Sequence, residues 1–382
     1  MLDTCKKQKY IYFVTGGGTG GHIYPAIAIC DKLKEDLETK KIYYVGNPKN
    51  LEYDIVSKAG YEFLPVNVSG MPRKLGFGLI CWLFQLQFAI LKALFYVMKY
   101  RPNAIIGTGG YVSAPALFAG VIGDIPLMIH DSDAKPGIVS RYIASNTKAI
   151  SVAFECAKSY LKSNNISVNG NPIRDAFKTL TKEEARKNLG IKEKTTLCIM
   201  GGSQGAKSIN SAAVEILKTL SKDYDIQIIF QTGKKKFDDV TKRLKEVYPE
   251  YESDSNLMVR PYFDNMTEVL KASDIAVSRA GSLSLSEICA CSIASILIPY
   301  PHAAADHQRK NARFMEEKRA ALYLEDADTT KDTLLIAIQQ LLDNKEKLSQ
   351  IQKNAFALAK LDSTANIVNQ LKGIVKWVHT KM

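Results

Sequence analysis

The chain has 382 residues, 46% of them hydrophobic and 24% charged, which excludes a disordered protein and suits two domains of about 150–200 residues each. Its 51 Lys and Arg against 39 Asp and Glu give a net charge of +12, so an anionic partner is expected: a nucleotide, a lipid diphosphate, an acidic membrane surface or nucleic acid. The seven cysteines (5, 30, 81, 156, 198, 289 and 291) form no C-x-x-C pair and have no histidine at zinc spacing; six lie in apolar or helical contexts and read as small core residues, which fits a reducing cytoplasm.

The N-terminus runs from MLDTCKKQKY straight into IYFVT, with no apolar stretch ahead of a small-residue cleavage site, and no secretory signal is expected. Strands are predicted at 11–15, 42–45, 104–107, 126–130 and 149–152, with helices at 25–37, 79–100 and 113–123. The most apolar run, 75–98, is interrupted by Gln85, Gln87 and Lys92, which argues against a membrane span. Most of this helix is expected to be core. Its N-terminal end is expected to touch membrane, because Met71, Arg73 and Lys74 precede Leu75, Phe77, Leu79, Ile80 and Trp82. Gly and Pro in the segment 169–174 mark the passage to the second half. Strands follow at 196–200, 226–231, 257–260, 275–278 and 294–298, with helices starting near 206, 236, 266, 283 and 305. The segment from 362 reads as a helix that packs back across the boundary.

Apolar strands alternating with helices imply an α/β fold with parallel sheets covered on both faces. Each half opens with a strand, a glycine-rich turn and a helix, FVTGGGTGGHIYPAIAI and then CIMGGSQGAKSIN. The expected architecture is therefore two doubly wound domains facing across a cleft, 1–170 together with 362–382, and 171–361.

Gly16 to Gly21 satisfies G-x-G-x-x-G, and a helix N-terminus behind such a loop favours an anion. A dinucleotide site also expects an acid at the end of the second strand, which here reads Val45-Gly46-Asn47. The loop is thus an anion cradle without the nicotinamide signature. The second loop, Gly201 to Ala206, adds the Ser203 hydroxyl, and neither loop ends in the G-K-[ST] of a P-loop. Two such loops suggest two phosphorylated ligands, although a glycine turn also serves packing alone.

Six segments in order, TGGGTGGHIYPAIAI, GTGGYVSAPALFAG, GNPIR, GGSQGAKSIN, SRAGSLSLSEI and PYPHAAADHQRKNA, resemble the MurG family of glycosyltransferases over residues 10 to 360. The resemblance implies a GT-B fold and transfer of N-acetylglucosamine from UDP-N-acetylglucosamine to the C4 hydroxyl of undecaprenyl-diphospho-N-acetylmuramyl-pentapeptide (lipid I), giving lipid II with inversion. It implies no cofactor and no catalytic metal, and places the protein peripherally on the cytoplasmic face of the inner membrane, against anionic lipid. By the same resemblance, Thr19, Gly20, Gly21, Asp133, Arg174, Ser203, Phe263, Ser282, Leu283, Ser284, Leu285, Ser286, Glu287 and Gln308 belong to the donor site. Glu287 would accept from the ribose hydroxyls, and Phe263 would lie beside uracil. Gly18, Gly109, Gly110 and Tyr111 belong to the acceptor.

Inversion needs a base for the acceptor hydroxyl. His22 follows the first glycine loop and opens a helix; it is the expected base, the alternative being a histidine that orients a hydroxyl. His130 and Asp131, at the end of the strand PLMIH, are further catalytic candidates, since strand C-termini face the ligand crevice. The family reads His-Glu-Gln-Asn where this chain has His130-Asp131-Ser132-Asp133, and a carboxylate at 133 accepts where an amide could also donate. His302 and His307 are expected to position the donor, and His379 to play no part. A GT-B enzyme acting on another lipid acceptor and a UDP-N-acetylglucosamine 2-epimerase remain the alternatives. The dispersed lysines, without an aromatic-interleaved basic motif, argue against nucleic acid. The oligomeric state is left open.

Overall fold

In a computed structural model, residues 9–72, 76–202, 204–303 and 306–381 are described, and side chains of the last helix as far as Lys376. The chain divides into two compact units, Met1–Ile173 with Asp362–Met382, and Arg174–Leu361.

The first unit runs β1 (Tyr10–Thr15), α1 (Gly20–Lys34), β2 (Thr39–Gly46), α2 (Leu51–Lys58), β3 (Glu62–Pro65), α3 (Phe77–Tyr100), β4 (Ala104–Gly107), α4 (Ala114–Ile122), β5 (Leu127–Asp131), α5 (Ile138–Ile143), β6 (Ala149–Val152) and β7 (Ile166–Val168). All neighbours pair in parallel, in the order β3-β2-β1-β4-β5-β6-β7. The central strands AIIG, LMIHD and AISV are wholly buried, as parallel strands covered on both faces must be. Alternate residues of β1 serve opposite faces. Tyr12 and Val14 pack with Ile29, Leu33, Ile367 and Leu371, while Phe13 packs with Ile105, Leu117 and Val97.

The second unit runs α6 (Ala176–Thr179), α7 (Lys182–Leu189), β8 (Thr195–Met200), α8 (Lys207–Asp223), β9 (Ile226–Gln231), α9 (Phe237–Val247), β10 (Leu257–Arg260), α10 (Met266–Ala272), β11 (Ile275–Ser278), α11 (Ser282–Ala290), β12 (Ala294–Leu297), α12 (His307–Glu317), β13 (Ala321–Tyr323), α13 (Lys331–Leu342) and α14 (Lys345–Ala357). Its parallel order is β10-β9-β8-β11-β12-β13. The last helix, α15 (Ser363–Lys381), returns to the first unit and packs beside α1 on one face of its sheet.

In each sheet one strand has its sequence neighbour on one side and a later strand on the other: β1 between β2 and β4, β8 between β9 and β11. At such a reversal the loops leaving the two strands diverge and open a crevice at the carboxyl ends. The glycine loops after β1, β4 and β8, and the turn before α11, all lie there.

The long apolar helix departs from expectation. Only Ala89, Ala93, Tyr96 and Val97 of α3 are buried, while Phe77, Ile80, Leu83, Phe84, Phe88, Leu91, Phe95 and Met98 are exposed along its whole length. At 100° per residue these eight share one face, opposite the buried four. Apolar residues lie on both the inner and the outer side of this helix, so periodicity alone did not reveal which side faces inward. Among the described residues α3 is the one helix long and apolar enough to cross a bilayer. Its inner face is nonetheless tied to the unit. Trp82 Nε1 donates to Ser69 O at 2.8 Å, Ser69 Oγ to Gln85 Oε1 at 2.7 Å, and Tyr96 OH to Pro65 O at 3.2 Å.

Candidate active site

In the first unit the loops after β1 and β4 meet. Gly17 N donates to Gly109 O at 3.3 Å, and a Cβ at Gly110 would come within 2.1 Å of Gly17 O. Gly109 and Gly110 have φ of 103° and 78°, which L side chains rarely adopt. A Cβ at Gly109 would also strike His22 Nδ1 at 2.8 Å. Two successive glycines therefore make the space that His22 occupies.

His22, half-buried in the first turn of α1, has Nδ1 3.2 Å from Thr108 O. A carbonyl only accepts, so this nitrogen carries the proton and Nε2 is left as an acceptor. The Thr108 hydroxyl donates to His22 O at 2.7 Å and fixes the turn from the other side. The Thr108 carbonyl thus holds the ring in one tautomer. Thr19 is the exposed N-cap of α1, with extended backbone and no side-chain cap bond. Gly18 is exposed against the Tyr111 ring, and the Tyr111 hydroxyl accepts from Asn50 Nδ2 at 3.0 Å.

His130 and Asp131 require correction. His130 is fully enclosed, its Nε2 donating to Asn171 Oδ1 at 3.3 Å and its Nδ1 lying 3.0 Å from Ser151 Oγ. Burial holds its pKa down at about 4, so the ring is neutral and has no free nitrogen for a substrate. It joins β5 and β6 to the 169–173 segment, which Ser363 Oγ holds through Asn171 O and Thr364 Oγ1 through Ile173 O. Asp131, also buried, accepts from Asp133 N at 3.2 Å and Gly137 N at 3.0 Å. It shapes the turn before α5, and burial raises its pKa. Asp133 is half-buried in that turn.

In the second unit the loop after β8 is set by Gly202 and Gly205, with φ of 84° and 70°. A Cβ on Gly205 would meet Thr232 O at 1.9 Å. Ser203 lies outside the described residues. Behind the loop, the buried Gln231 at the end of β9 donates from Nε2 to Gly202 O at 3.4 Å, and its Oε1 accepts from Phe263 N at 3.0 Å. One amide thus spaces the glycine loop from Phe263, a role that the sequence reading missed. Replacing Gln231 by Ala is expected to raise KM for a UDP donor about tenfold, the loss of roughly 1.4 kcal/mol of positioning. Isothermal titration with UDP, run well below the melting temperature of the variant, checks this.

Before α11, Gly281 is the N-cap and leads into Ser282, Leu283 and Ser284. Leu285 is a second correction. Its side chain packs with Cys289, Leu297 and Ala312, and its N–H donates to Gly281 O, which leaves nothing to offer a donor. Ser286 is bonded within the helix, its hydroxyl donating to Ser282 O at 3.1 Å. Glu287 is largely buried, and its carboxyl pKa is raised to about 7 by that burial. The half-exposed Arg174 guanidinium, 4.0 Å away and stacked over Phe177, pulls in the opposite direction. Gln308 Oε1 accepts from Tyr300 N at 3.0 Å, which orients its amide. His302 is exposed with its ring edge-on to Tyr300, and His307 opens α12. No group of three or more His, Cys, Asp and Glu is placed to hold a metal among the described residues.

Residues 12–152 match the glycosyltransferase family 28 N-terminal domain, and residues 196–371 the glycosyltransferase family 28 C-terminal domain. A UDP-N-acetylglucosamine–N-acetylmuramyl-(pentapeptide) pyrophosphoryl-undecaprenol N-acetylglucosamine transferase from Desulforamulus reducens is 37% identical over 95% of this chain and 98% of its own length. The chain belongs to the MurG family of family 28 glycosyltransferases. A Bacillus pumilus protein of the same description is 34% identical over 94% of this family 28 chain and 98% of its own. Acinetobacter baumannii MurG has a similar fold, with TM-score 0.76 at 22% identity, covering 96% of this chain and all of that one. A Neisseria meningitidis UDP-GlcNAc 2-epimerase bound to UDP-GlcNAc reaches 0.68 at 13% identity, over 96% of this chain and 100% of that one. The fold alone therefore does not separate transferase from epimerase; the sequence relatives of this family 28 member do.

Proposed function

We propose that this chain transfers N-acetylglucosamine from UDP-N-acetylglucosamine to the C4 hydroxyl of lipid I, with inversion, to give the β-1,4-linked lipid II. The observation that carries the reading is identity along nearly the whole chain with transferases of that description. The geometry supports a chemical assignment. His22 Nε2 takes the proton of the acceptor hydroxyl as its oxygen bonds to the anomeric carbon. The bond from that carbon to the diphosphate breaks, and the electron pair leaves on UDP. Arg174 and the first-turn N–H groups of α8 and α11 meet the charge that builds there. Glu287 accepts from the ribose hydroxyls, Phe263 lies against uracil, and Gln308 meets the transferred sugar. Incubation with labelled donor tests this. Label entering lipid only when lipid I is present supports transfer, whereas N-acetylmannosamine, free or still on UDP, formed without lipid would favour the epimerase.

The acceptor is lipid-linked, and α3 supplies a surface for it. We place the protein peripherally, at the cytoplasmic face of the inner membrane, with the outer face of α3 in the lipid interface. Burying eight large apolar side chains would gain on the order of 10 kcal/mol, comparable to the whole stability of a domain. From 63 to 123 the chain has no Asp or Glu but carries Arg73, Lys74, Lys92, Lys99 and Arg101. The first unit holds 22 Lys and Arg against 13 Asp and Glu, the second 29 against 26, so most of the positive excess lies in the unit that carries α3. Replacing Phe84 and Phe88 together by Asp is expected to weaken flotation with phosphatidylglycerol-containing vesicles tenfold or more. Transfer to a water-soluble acceptor should not change. Undiminished flotation would remove α3 from this role.

A further inference from the structure

Beneath the first glycine loop lies a carboxylate that the reaction as described does not use. Glu52, in the first turn of α2, is 0% exposed. Its Oε2 accepts from Gly18 N at 3.2 Å, and its Oε1 accepts from Asn47 N and from Asn50 Nδ2, both at 3.2 Å. A Cβ at Gly17 would fall 2.8 Å from the carboxylate, so the loop lies directly on it. Asn50 Nδ2 also reaches the Tyr111 hydroxyl, and the Tyr111 ring backs Gly18. Among the described residues no Lys, Arg or His pairs with Glu52, so three neutral donors compensate the buried charge.

We infer that Glu52 is a positioning residue for the transfer, an internal anion that holds the Gly16–Gly18 turn, and with it His22, against the loop of Gly109 to Tyr111. The inference rests on the proposed reading of the site. The Gly18 N–H is already occupied from below by Glu52. His22 N and Ile23 N both donate to Thr19 O. The N–H groups of Gly20 and Gly21, the first of α1, have no partner within the helix and are the donors that remain for a ligand anion. In a dinucleotide fold the phosphate itself would organise such a loop; here the protein's own carboxylate organises it before a ligand arrives.

Replacing Glu52 by Gln keeps the shape but turns an NH2 against a backbone or amide donor, so the loop is no longer held at both ends. With the full chain, UDP-N-acetylglucosamine and a short-chain lipid I analogue, Glu52→Gln is expected to lower kcat about ten- to hundredfold, the scale on which a misplacement near 1 Å acts. The acceptor KM should rise several-fold, while the donor KM and UDP affinity stay within about twofold. Asn50→Ala, at a half-buried position, should move the same constants in the same direction by less. Hydrogen exchange in the 16–24 peptide reads the Gly18 bond without any substrate. It should quicken in Glu52→Gln, and it would do so even if the wild type failed to transfer to lipid, so the two readings fail separately. Wild-type kcat and acceptor KM in a folded Glu52→Gln would overturn the inference. So would unchanged Asn50→Ala constants if Glu52→Gln does not fold, and so would unchanged exchange.

Discussion

Replacing His22 by Ala is expected to lower kcat by about 10²–10⁴-fold, the usual contribution of a positioned general base, with the donor KM and UDP affinity little changed. The reason lies in the tautomer. Thr108 O can only accept, which places the proton on Nδ1 and leaves Nε2 ready to take one. His22→Asn separates a base from a positioner. Its amide nitrogen can still reach Thr108 O, but nothing stands where Nε2 was. If the imidazole acts as base, His22→Asn falls as far as His22→Ala. If it only orients the loop through Thr108, His22→Asn recovers most of the rate, and the proton must go elsewhere.

The second large effect concerns Glu287. Burial raises its pKa to about 7, against 4.5 for the free side chain, and only Arg174, at 4.0 Å, offsets this. Two ribose hydroxyls need a carboxylate that accepts from both, so the donor KM should fall as pH rises through about 7. Glu287→Gln cannot change charge. It is expected to raise the donor KM ten- to hundredfold at pH 8, the equivalent of roughly 1.5–3 kcal/mol for hydrogen bonds to a charged group, and to flatten the slope. The sign for stability is opposite. A folded pKa above the unfolded one contributes stability in full below pH 4.5, and that contribution is lost as pH rises through about 7. At pH 8 the empty Glu287→Gln variant should therefore melt no lower than wild type. A variant that melts lower and keeps the wild-type pH slope would place Glu287 in the framework and not against the ribose.

Much of this was legible in the residues. A glycine turn between an apolar strand and a helix is a local signal, and it led to both loops, to His22 and, through the resemblance, to Glu287 and Arg174. The short edge strands β3, β7 and β13, of three or four residues, carry too little pattern to stand out. Glu52 lies in α2, a two-turn helix that the sequence reading did not predict, and only the order β2-β1-β4 puts it under the neighbouring loop. Gln231 is hidden for the same reason, its two bonds reaching 29 and 32 residues away. His130 and Leu285 illustrate the opposite error. Each stands within a motif at a crevice, and each turns its side chain inward, because a strand end and a helix face offer both directions and the sequence does not say which is taken. α3 was misread because apolar residues occupy both its inner and its outer side.

The most direct measurement of the central claim is the linkage formed on lipid I. UDP-N-acetylglucosamine labelled at the anomeric carbon and a short-chain lipid I analogue are incubated with the wild-type chain, and the product is examined by nuclear magnetic resonance. The account predicts a single new β-anomeric signal correlated with C4 of the muramyl residue, formed slowly or not at all by His22→Ala. An α linkage, attachment at another hydroxyl, or a folded, UDP-binding protein that leaves lipid I unchanged would contradict it.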